Sequence, residues 1–343
     1  MAVWYESPRT RCGHARFTHN PLFSMDGIAR SLSEVSARSG THRFSVAIGV
    51  FDGIHRGHRQ VIETLCAAAR ENGSAPLVVT FSPHPREVLA PDRAPQLLTT
   101  PAQQRRILQE MGCADVVFLP FSRELAALTP REFLTRHICC PGIEVALVCV
   151  GSDWRFGRGG SGTSGALAAL GREFGFEVAP VRELTFYGRP VSSTRIREAV
   201  SAGRLAFAAR LLGRPYSIEG VVARGRGQGG QTFSCPTANI ADSRILLPPH
   251  GVYAARAVLD ARHCLTLPGI VYVGTAPTVV TDAPPLVELH LFDFDENLYG
   301  RRVEVQFEAF LRPDRVFPSS AALRDQIARD VEEARNRLSL VTN

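Results

Sequence analysis

The chain has 343 residues, a net charge of +6 and a pI near 9.1, and that length predicts two domains that each bury a core. No apolar run approaches the roughly 18 residues that cross a membrane, and the basic charge forms no block or aromatic-rich stripe. We therefore expect neither a membrane nor nucleic acid as a partner, since a small anionic substrate explains the charge equally well. The eight cysteines lack C-x-x-C spacing, which argues against a zinc site or a disulfide framework and predicts reduced thiols in a cytoplasmic protein.

Residues 1–40 show no hydrophobic periodicity. Their composition, rich in Arg, Ser and Thr, is typical of a transit peptide, but also of any loose tail in an Arg-biased chain. We predict that 1–40 is a disordered or mis-annotated extension, with Met25 as an alternative translation start. Residues 1–24 are expected to contribute nothing to fold or activity.

From Ser45 onward, apolar runs alternate with helical patterns. The runs predicted as buried strands are Val46–Val50, Leu77–Phe81, Asp115–Leu119, Val145–Val150 and Glu177–Val181. The predicted helices are Arg59–Arg70, Pro101–Met111, Pro130–Cys139 and Ser164–Phe174. This alternation predicts an α/β doubly wound parallel sheet that is covered on both faces and binds ligands outside the carboxyl ends of its strands.

The pattern changes after a helical region at Ser193–Leu212. Five apolar stretches then follow with no helix between them, which predicts an antiparallel β-barrel. These stretches are Ile218–Val222, Val252–Leu259, Gly269–Val273, Val287–Phe294 and Val303–Phe310. A last helix from about Ser319 carries an apolar stripe that would cover the barrel. We place one domain at 41–212 and a second at 213–343.

A glycine-bounded turn, Gly49–His58, joins the first predicted strand to the first helix. A helix N-terminus presents free N–H groups and partial positive charge, which suit a phosphate. His55 and His58 are three residues apart, so in a helical first turn both imidazoles lie on one face. Spacing alone also allows a purely structural histidine pair. The chain contains no lysine, so any phosphate clamp must be built from arginine.

The turn follows the pattern G-x-F-D-x-x-H-x-G-H, which resembles the signature of the nucleotidyltransferase superfamily. Further motifs follow in the order found in bacterial bifunctional riboflavin kinase/FAD synthetases. They are Thr80–Pro85 (TFSPHP), Val150–Gly157 (VGSDWRFG), Val191–Arg197 (VSSTRIR), Pro236–Ile240 (PTANI), Val287–His290 (VELH), Phe292–Asp295 (FDFD) and Leu298–Gly300 (LYG). The likeness covers roughly residues 41–340. Several motifs in one order are far more specific than any one of them.

For the first domain, the resemblance implies adenylyl transfer from ATP to FMN, giving FAD and pyrophosphate. His55 and His58 would orient the triphosphate, and Arg197 with Ser193 and Thr194 would close over the phosphates. The other residues implied for ATP are Gly49, Phe51, Asp52, Gly57, Asp153 and Arg155. Those implied for the flavin pocket are Phe81, His84 and Pro85. The nucleophile is a phosphate that is already ionised at pH 7, so the reaction needs no general base.

For the second domain, the resemblance implies phosphorylation of riboflavin to FMN by ATP. The nucleophile is now an alcohol, which benefits from a carboxylate base. The resemblance gives that role to Glu288, which the strand alternation places on the opposite side from its two apolar neighbours. Thr237 and Asn239 would bind Mg²⁺ and phosphate. The implied nucleotide and flavin residues of this domain are Gly225, Gly230, Pro236, Thr237 and Asn239.

The kinase motifs depart from the family pattern. Gln231 stands where the family has Arg, Ser234 where it has Gly and Cys235 where it has an aromatic residue, and Tyr272 and Ala276 replace an Asn and a basic residue. We therefore expect kinase activity to be weaker than adenylyl transfer. One alternative is a paralogue with adenylyltransferase activity only, or with a modified flavin substrate. Another is a non-catalytic flavin-binding or regulatory protein. The sequence leaves the oligomeric state, including weak self-association, open.

Overall fold

The computed structural model describes residues 28–222, 244–260, 265–275, 285–294 and 296–339. No helix within these ranges is long and apolar enough to cross a membrane. The described residues form one parallel sheet, one antiparallel sheet and a short two-stranded hairpin.

The first half is built on a five-stranded parallel sheet, as predicted. Its strands are β1 (Arg43–Ile48), β2 (Ala75–Ser82), β3 (Asp115–Pro120), β4 (Glu144–Gly151) and β5 (Glu177–Val181). Their spatial order is β3-β2-β1-β4-β5, and all neighbours run parallel. The order of connection reverses at β1, so the carboxyl ends of β1 and β4 flank the crevice where such sheets bind ligands.

Helices cover both faces of this sheet. They are α1 (Leu32–Ser39), α2 (Arg56–Asn72), α3 (Pro85–Leu89), α4 (Pro101–Glu110), α5 (Arg123–Ala127), α6 (Pro130–Phe133) and α7 (Ser164–Phe174). The predicted helix Pro130–Cys139 is divided, because α6 continues as a π-helical turn at Leu134–Ile138. The short α3 and α5 escaped prediction because neither buries an apolar side chain, so neither leaves a hydrophobic period in the sequence.

The expectation of disorder throughout 1–40 is wrong for its last part. Helix α1 is capped by the Ser31 hydroxyl, and its Leu32 and Val35 side chains are buried in the core of the parallel sheet. The N–H of Phe118 on β3 also donates to the carbonyl of Ala29 at 2.8 Å. Only two apolar residues of this short helix face the core, which is too few to produce a periodic signal. Residues 1–27 lie outside the described ranges, so the prediction for 1–24 stays a prediction.

The second half has the predicted antiparallel architecture with a C-terminal helix. Its strands are β8 (Tyr216–Val221), β9 (Gly251–Asp260), β10 (Leu265–Thr275), β11 (Pro285–Leu291) and β12 (Arg302–Arg312), in the spatial order β11-β10-β9-β12-β8. Helix α10 (Ser320–Ser339) packs on one face through the predicted stripe, with Ala334 and Leu338 fully covered.

Two helices join the halves. Helices α8 (Ser193–Ser201) and α9 (Leu205–Leu212) follow the hairpin of β6 (Thr185–Phe186) and β7 (Arg189–Pro190). Their buried side chains share one apolar cluster with the inner face of the antiparallel sheet. This shared core crosses the domain boundary that the sequence places at 212/213. The boundary itself stays a prediction.

Candidate active site

The turn between β1 and α2 (residues 49–55, called the histidine turn below) is strained. Phe51, Gly53 and Ile54 have φ angles of 47°, 81° and 41°. Positive φ is easy for glycine, but a β-branched residue such as Ile54 adopts it only where the surroundings impose it. Strain of this kind is typical of sites that need a fixed backbone.

Neighbouring segments hold this turn in place. Thr80 on β2 donates from its hydroxyl to the carbonyl of Val50 at 2.9 Å, and the N–H of Gly53 donates to the hydroxyl oxygen of Thr99 at 3.0 Å. Gly49 admits no larger residue without displacement, because a Cβ there would lie 3.1 Å from the ring of Phe51. Sequence reasoning missed Thr99. It belongs to no motif, and a threonine just before the N-cap of a helix is common.

The two histidines come together as predicted, but by another route. His55 is the N-cap of α2 rather than a residue of its first turn, and its Nδ1 accepts a hydrogen bond from the N–H of His58 at 3.3 Å. The imidazole rings stack with centroids 3.6 Å apart and planes 15° apart. Because Nδ1 of His55 is an acceptor, the neutral ring carries its proton on Nε2.

Burial keeps both imidazoles neutral at physiological pH. It lowers the pKa of His55 to about 4, and the charge of Arg214 acts in the same direction. Burial also lowers the pKa of His58, followed by the effects of His55 and Arg214. The Nδ1 atom of His58 is buried and has no hydrogen-bond partner among the described residues. Buried polar atoms without a partner are rare in folded proteins, and one at a helix N-terminus is a feature that functional sites often show.

Asp52, three residues before His55, forms an ion pair with Arg197. The carboxylate of Asp52 is buried and accepts from the N–H groups of Leu98 and Thr99, at 3.0 Å and 3.1 Å, as well as from the Arg197 guanidinium. Burial raises the pKa of Asp52, while Arg197 and the two N–H groups oppose that rise. Both oxygens of Asp52 therefore have protein donors already.

The first residues of α8 lie against the histidine turn. The hydroxyl of Ser193 donates to the carbonyl of Asp52 at 2.9 Å, and Thr194 is exposed. The Nε of Arg197 donates to the carbonyl of Gln96 at 2.8 Å. Ser193 and Arg197 thus contact Asp52 of the histidine turn, while the predicted role of Ser193, Thr194 and Arg197 in closing over the phosphates stays a prediction.

The segment expected to bind flavin follows β2. His84 caps α3, accepting from the N–H of Arg86 at 3.1 Å, and Pro85 is the first residue of that helix. Burial lowers the pKa of His84 to about 4, and the charges of Arg197 and Arg86 add to the effect. The ring of Phe81 is partly exposed at the end of β2. These residues lie at the carboxyl edge of the sheet, and the effect of Arg197 on the pKa of His84 shows that this arginine is near that end of the segment.

Asp153 and Arg155 are exposed on the loop that follows β4. Between them Trp154 stacks on Phe156, with ring centroids 4.6 Å apart, and Phe156 packs edge-on against Phe133. Because β4 lies next to β1, this loop opens on the same edge as the histidine turn. The aromatic stack fixes the loop, while its polar side chains point to solvent.

Glu288 lies on the outer face of the antiparallel sheet. Its neighbours Val287 and Leu289 are buried in the shared core on the opposite face, which confirms the predicted alternation. Burial raises the pKa of Glu288. Tyr272 lies directly across from it on β10 and donates from its hydroxyl to Asp314 at 2.8 Å.

The other predicted kinase residues lie outside the described part of the chain. Gly225, Gly230, Gln231, Ser234, Cys235, Pro236, Thr237, Asn239 and Ala276 lie outside the described residues. Among the residues that are described, no group of three or more His, Cys, Asp or Glu side chains is arranged to hold a metal.

Comparisons with known proteins agree on both halves. A family model described as FAD synthetase matches residues 38–195, and one described as riboflavin kinase matches residues 212–338. A bifunctional riboflavin kinase/FMN adenylyltransferase of Escherichia coli K12 is 37% identical over 86% of this chain and 93% of its own length. Its counterpart in Pseudomonas fluorescens is 38% identical over the same shares. A solved structure described as a macrolide-efflux protein from Streptococcus pneumoniae superposes with a TM-score of 0.73 at 31% identity, covering 87% of this chain and 95% of that one.

A parallel sheet with a paired-histidine turn, followed by an antiparallel sheet with a terminal helix, defines a nucleotidyltransferase joined to a flavokinase-type unit. With relatives of this identity matched over nearly their whole length, the chain belongs to the bifunctional riboflavin kinase/FMN adenylyltransferase family.

Proposed function

We propose that this protein transfers the adenylyl group of ATP to FMN, giving FAD and pyrophosphate. The observation that carries the proposal is the stacked pair of His55 and His58 at the N-terminus of α2, in a turn whose Asp52 is paired with Arg197. An oxygen of the FMN phosphate attacks the α-phosphorus of ATP, and the bond from that phosphorus to the pyrophosphate oxygen breaks. No proton has to be removed from the nucleophile, because the FMN phosphate is ionised at pH 7.

The chemistry required of the protein is therefore alignment and charge stabilisation. The neutral ring of His55 donates from Nε2, and the N-terminus of a 17-residue helix adds partial positive charge at the same place. The guanidinium of Arg197, although paired with Asp52, has further N–H groups that can donate to phosphate oxygens. These groups suit the negative charge that develops on the leaving pyrophosphate.

We propose that Asp52 supports the site and does not contact ATP as the sequence predicted. Its carboxylate is 1% exposed and engaged by protein donors. We assign it the role of holding Arg197 and the strained turn in register. Thr194, Asp153 and Arg155, which are all exposed, are better placed to contact ATP, while Phe81, His84 and Pro85 are kept as the flavin contacts.

The second half supports riboflavin phosphorylation, with Glu288 as the base. Burial raises the pKa of this carboxyl group, and a more basic carboxylate is better suited to accept a hydroxyl proton near pH 7. The predicted Mg²⁺ ligands Thr237 and Asn239 lie outside the described residues, so no step here depends on the metal. The substitutions at Gln231 and Ser234 make this the weaker activity.

Chromatography of products distinguishes the candidate functions. The protein is incubated with ATP, Mg²⁺ and either FMN or riboflavin. FAD and pyrophosphate from FMN support the proposal, and FMN from riboflavin supports the second activity. FAD without any phosphorylation of riboflavin identifies the adenylyltransferase-only paralogue. Stoichiometric flavin binding without pyrophosphate release identifies a binding protein and contradicts the proposal. Flavins and ATP are the proposed partners, and the cytoplasm is the proposed compartment.

A further inference from the structure

Arg214 reaches the histidine turn from the other half of the chain. It lies between α9 and β8. The preceding residue, Gly213, is the C-cap of α9, and its φ of 79° turns the backbone there. Its Nη1 donates to the carbonyl of Ile54 at 3.0 Å, and its Nη2 donates to the carbonyl of Gly53 at 2.8 Å. One guanidinium therefore binds two successive carbonyls.

These two carbonyls belong to the strained part of the turn. Ile54 has a φ of 41°, a conformation that is unfavourable for a β-branched residue and persists only where the surroundings fix it. The next residue is His55, whose ring stacks on His58. If Ile54 relaxed to negative φ, the chain would carry His55 away from the N-terminus of α2.

Arg214 also sets the charge beside the histidines. Burial lowers its pKa to about 10, so the guanidinium is still protonated at pH 7. It places a permanent positive charge near two rings that are neutral there. This charge would attract an anionic triphosphate even though the histidines are neutral.

The surroundings of Arg214 link both halves. Gln103 on α4 donates to the hydroxyl of Ser217 on β8 at 2.8 Å, and Ser217 donates to Glu304 on β12 at 2.6 Å. Arg106 on α4 pairs with the same carboxylate, and both partners are buried. The base of the antiparallel sheet is thereby fixed against α4, which determines where Arg214 stands relative to the turn.

We propose that Arg214 is a positioning residue for adenylyl transfer, by which the antiparallel half of the chain holds the Gly53–His55 segment in its active geometry. The proposal rests on the proposed function. It assigns the second half a part in the reaction of the first, separate from any kinase activity.

The test compares Arg214→Gln, Arg214→Lys and Arg214→Ala with Arg210→Gln in the full chain. Arg210 is exposed on the last turn of α9 and serves as the matched control. For each protein the melting temperature, kcat for FAD formation and KM for ATP are measured. Because a displacement of about 1 Å in a reacting group costs about 100-fold, we expect Arg214→Gln to lower kcat on that order and to change KM much less. Arg214→Lys should recover part of the rate, since an ammonium group keeps the positive charge but lacks the planar fork that holds the two carbonyls in a fixed geometry.

Chemical rescue separates positioning from bulk stability. Added guanidinium chloride should restore part of kcat in Arg214→Ala and leave Arg210→Gln unchanged. If Arg214→Ala does not fold, Arg214→Gln and Arg214→Lys decide through kcat measured on folded protein. A lower melting temperature with unchanged kcat in all the folded Arg214 variants would overturn the inference. Absence of FAD formation by the unmodified protein would instead contradict the proposed function.

Discussion

Asp52 and Arg197 are 145 residues apart in sequence and share a hydrogen bond at the floor of the candidate site. The side chain of Asp52 is 2% exposed and that of Arg197 is 17% exposed. Removing one partner of a buried pair leaves the other without compensation, which is far more damaging than losing an exposed pair. This bond ties α8 to the histidine turn.

Replacing Asp52→Asn should lower both stability and activity. An amide has one acceptor oxygen, so it cannot serve the N–H groups of Leu98 and Thr99 and also neutralise Arg197. We expect the free energy of unfolding to fall by about 3–5 kcal/mol and FAD formation to be largely lost. Urea unfolding and product chromatography measure the two effects. Asp92→Asn, at an exposed aspartate, is the control, and equal losses in the two variants would refute the role of the pair.

Replacing His58→Ala should affect the chemical step. The ring stacks on His55, and its centroid lies 5.1 Å from that of Phe51. We propose that this ring donates a hydrogen bond to the triphosphate. Loss of one preorganised donor raises the activation free energy by roughly 2–4 kcal/mol. Steady-state rates of FAD formation test this, with the exposed His250→Ala as control. Unchanged FAD formation in His58→Ala would count decisively against the assignment.

Glu219 should make stability depend on pH. Burial raises the pKa of this carboxyl from 4.5 to about 7, so the folded protein binds its proton more tightly than the unfolded chain does. That stabilisation is fully present below pH 4.5 and is lost as the pH rises through about 7. Glu219→Gln should therefore exceed the unmodified protein in stability at pH 8, by at most about 3 kcal/mol. Most of the difference should vanish at pH 5.

Denaturant unfolding of Glu219→Gln at the two pH values provides the check. Glu177→Gln, at an exposed position on β5, should show no such change. A difference that is the same at both pH values would mean that Glu219 titrates normally in the folded protein.

Shortening the N-terminus should have no effect until α1 is reached. A protein that begins at Met25 is expected to match the full chain in melting temperature and FAD synthesis. One that begins at Thr41 loses the burial of Leu32 and Val35, and each such side chain contributes about 1.5–3 kcal/mol. Thermal unfolding distinguishes the three lengths. A marked loss already at Met25 would show that residues 1–24 pack on the enzyme.

The kinase reaction should be limited by the nucleotide loop. Gln231→Arg together with Ser234→Gly should raise the rate of riboflavin phosphorylation, because a guanidinium makes charge-assisted bonds to phosphate that an amide cannot. Glu288→Gln should abolish whatever rate exists. The two rates are followed by chromatography of FMN and FAD. Equal rates of phosphorylation and adenylylation in the unmodified protein would show that the departures are harmless.

Local sequence patterns were sufficient for the architecture. Continuous apolar strands and the stripe on α10 depend on contacts that repeat along a short stretch of chain, so they produce a hydrophobic pattern in the sequence. Glycines mark the turns between these elements. The same reasoning overlooked α1, whose contact with β3 joins segments far apart in sequence. It also predicted an undivided helix at Pro130–Cys139, because a π-helical turn leaves the apolar spacing nearly unchanged.

The candidate site was predictable in its motifs and not in its supports. The spacing of His55 and His58 placed both rings at one helix N-terminus, whereas Arg197 was implied only by the family resemblance. The role of His55 as a cap, the engagement of Asp52 by backbone N–H groups and the reach of Arg214 depend on tertiary placement. Arg214 lies 160 residues from Ile54, and no local signal in a sequence reports a contact of that span.

The shared apolar cluster of α8, α9 and the antiparallel sheet has a consequence for synthesis of the protein. The helices leave the ribosome first, and their partner on β12, Phe307, follows roughly a hundred residues later. At 5–20 residues per second, that interval is about 5–20 s. During this time the nascent chain carries an uncovered apolar surface beside an already formed parallel sheet. Chains that stop before β12 should consequently be clients of holdase chaperones and prone to aggregation.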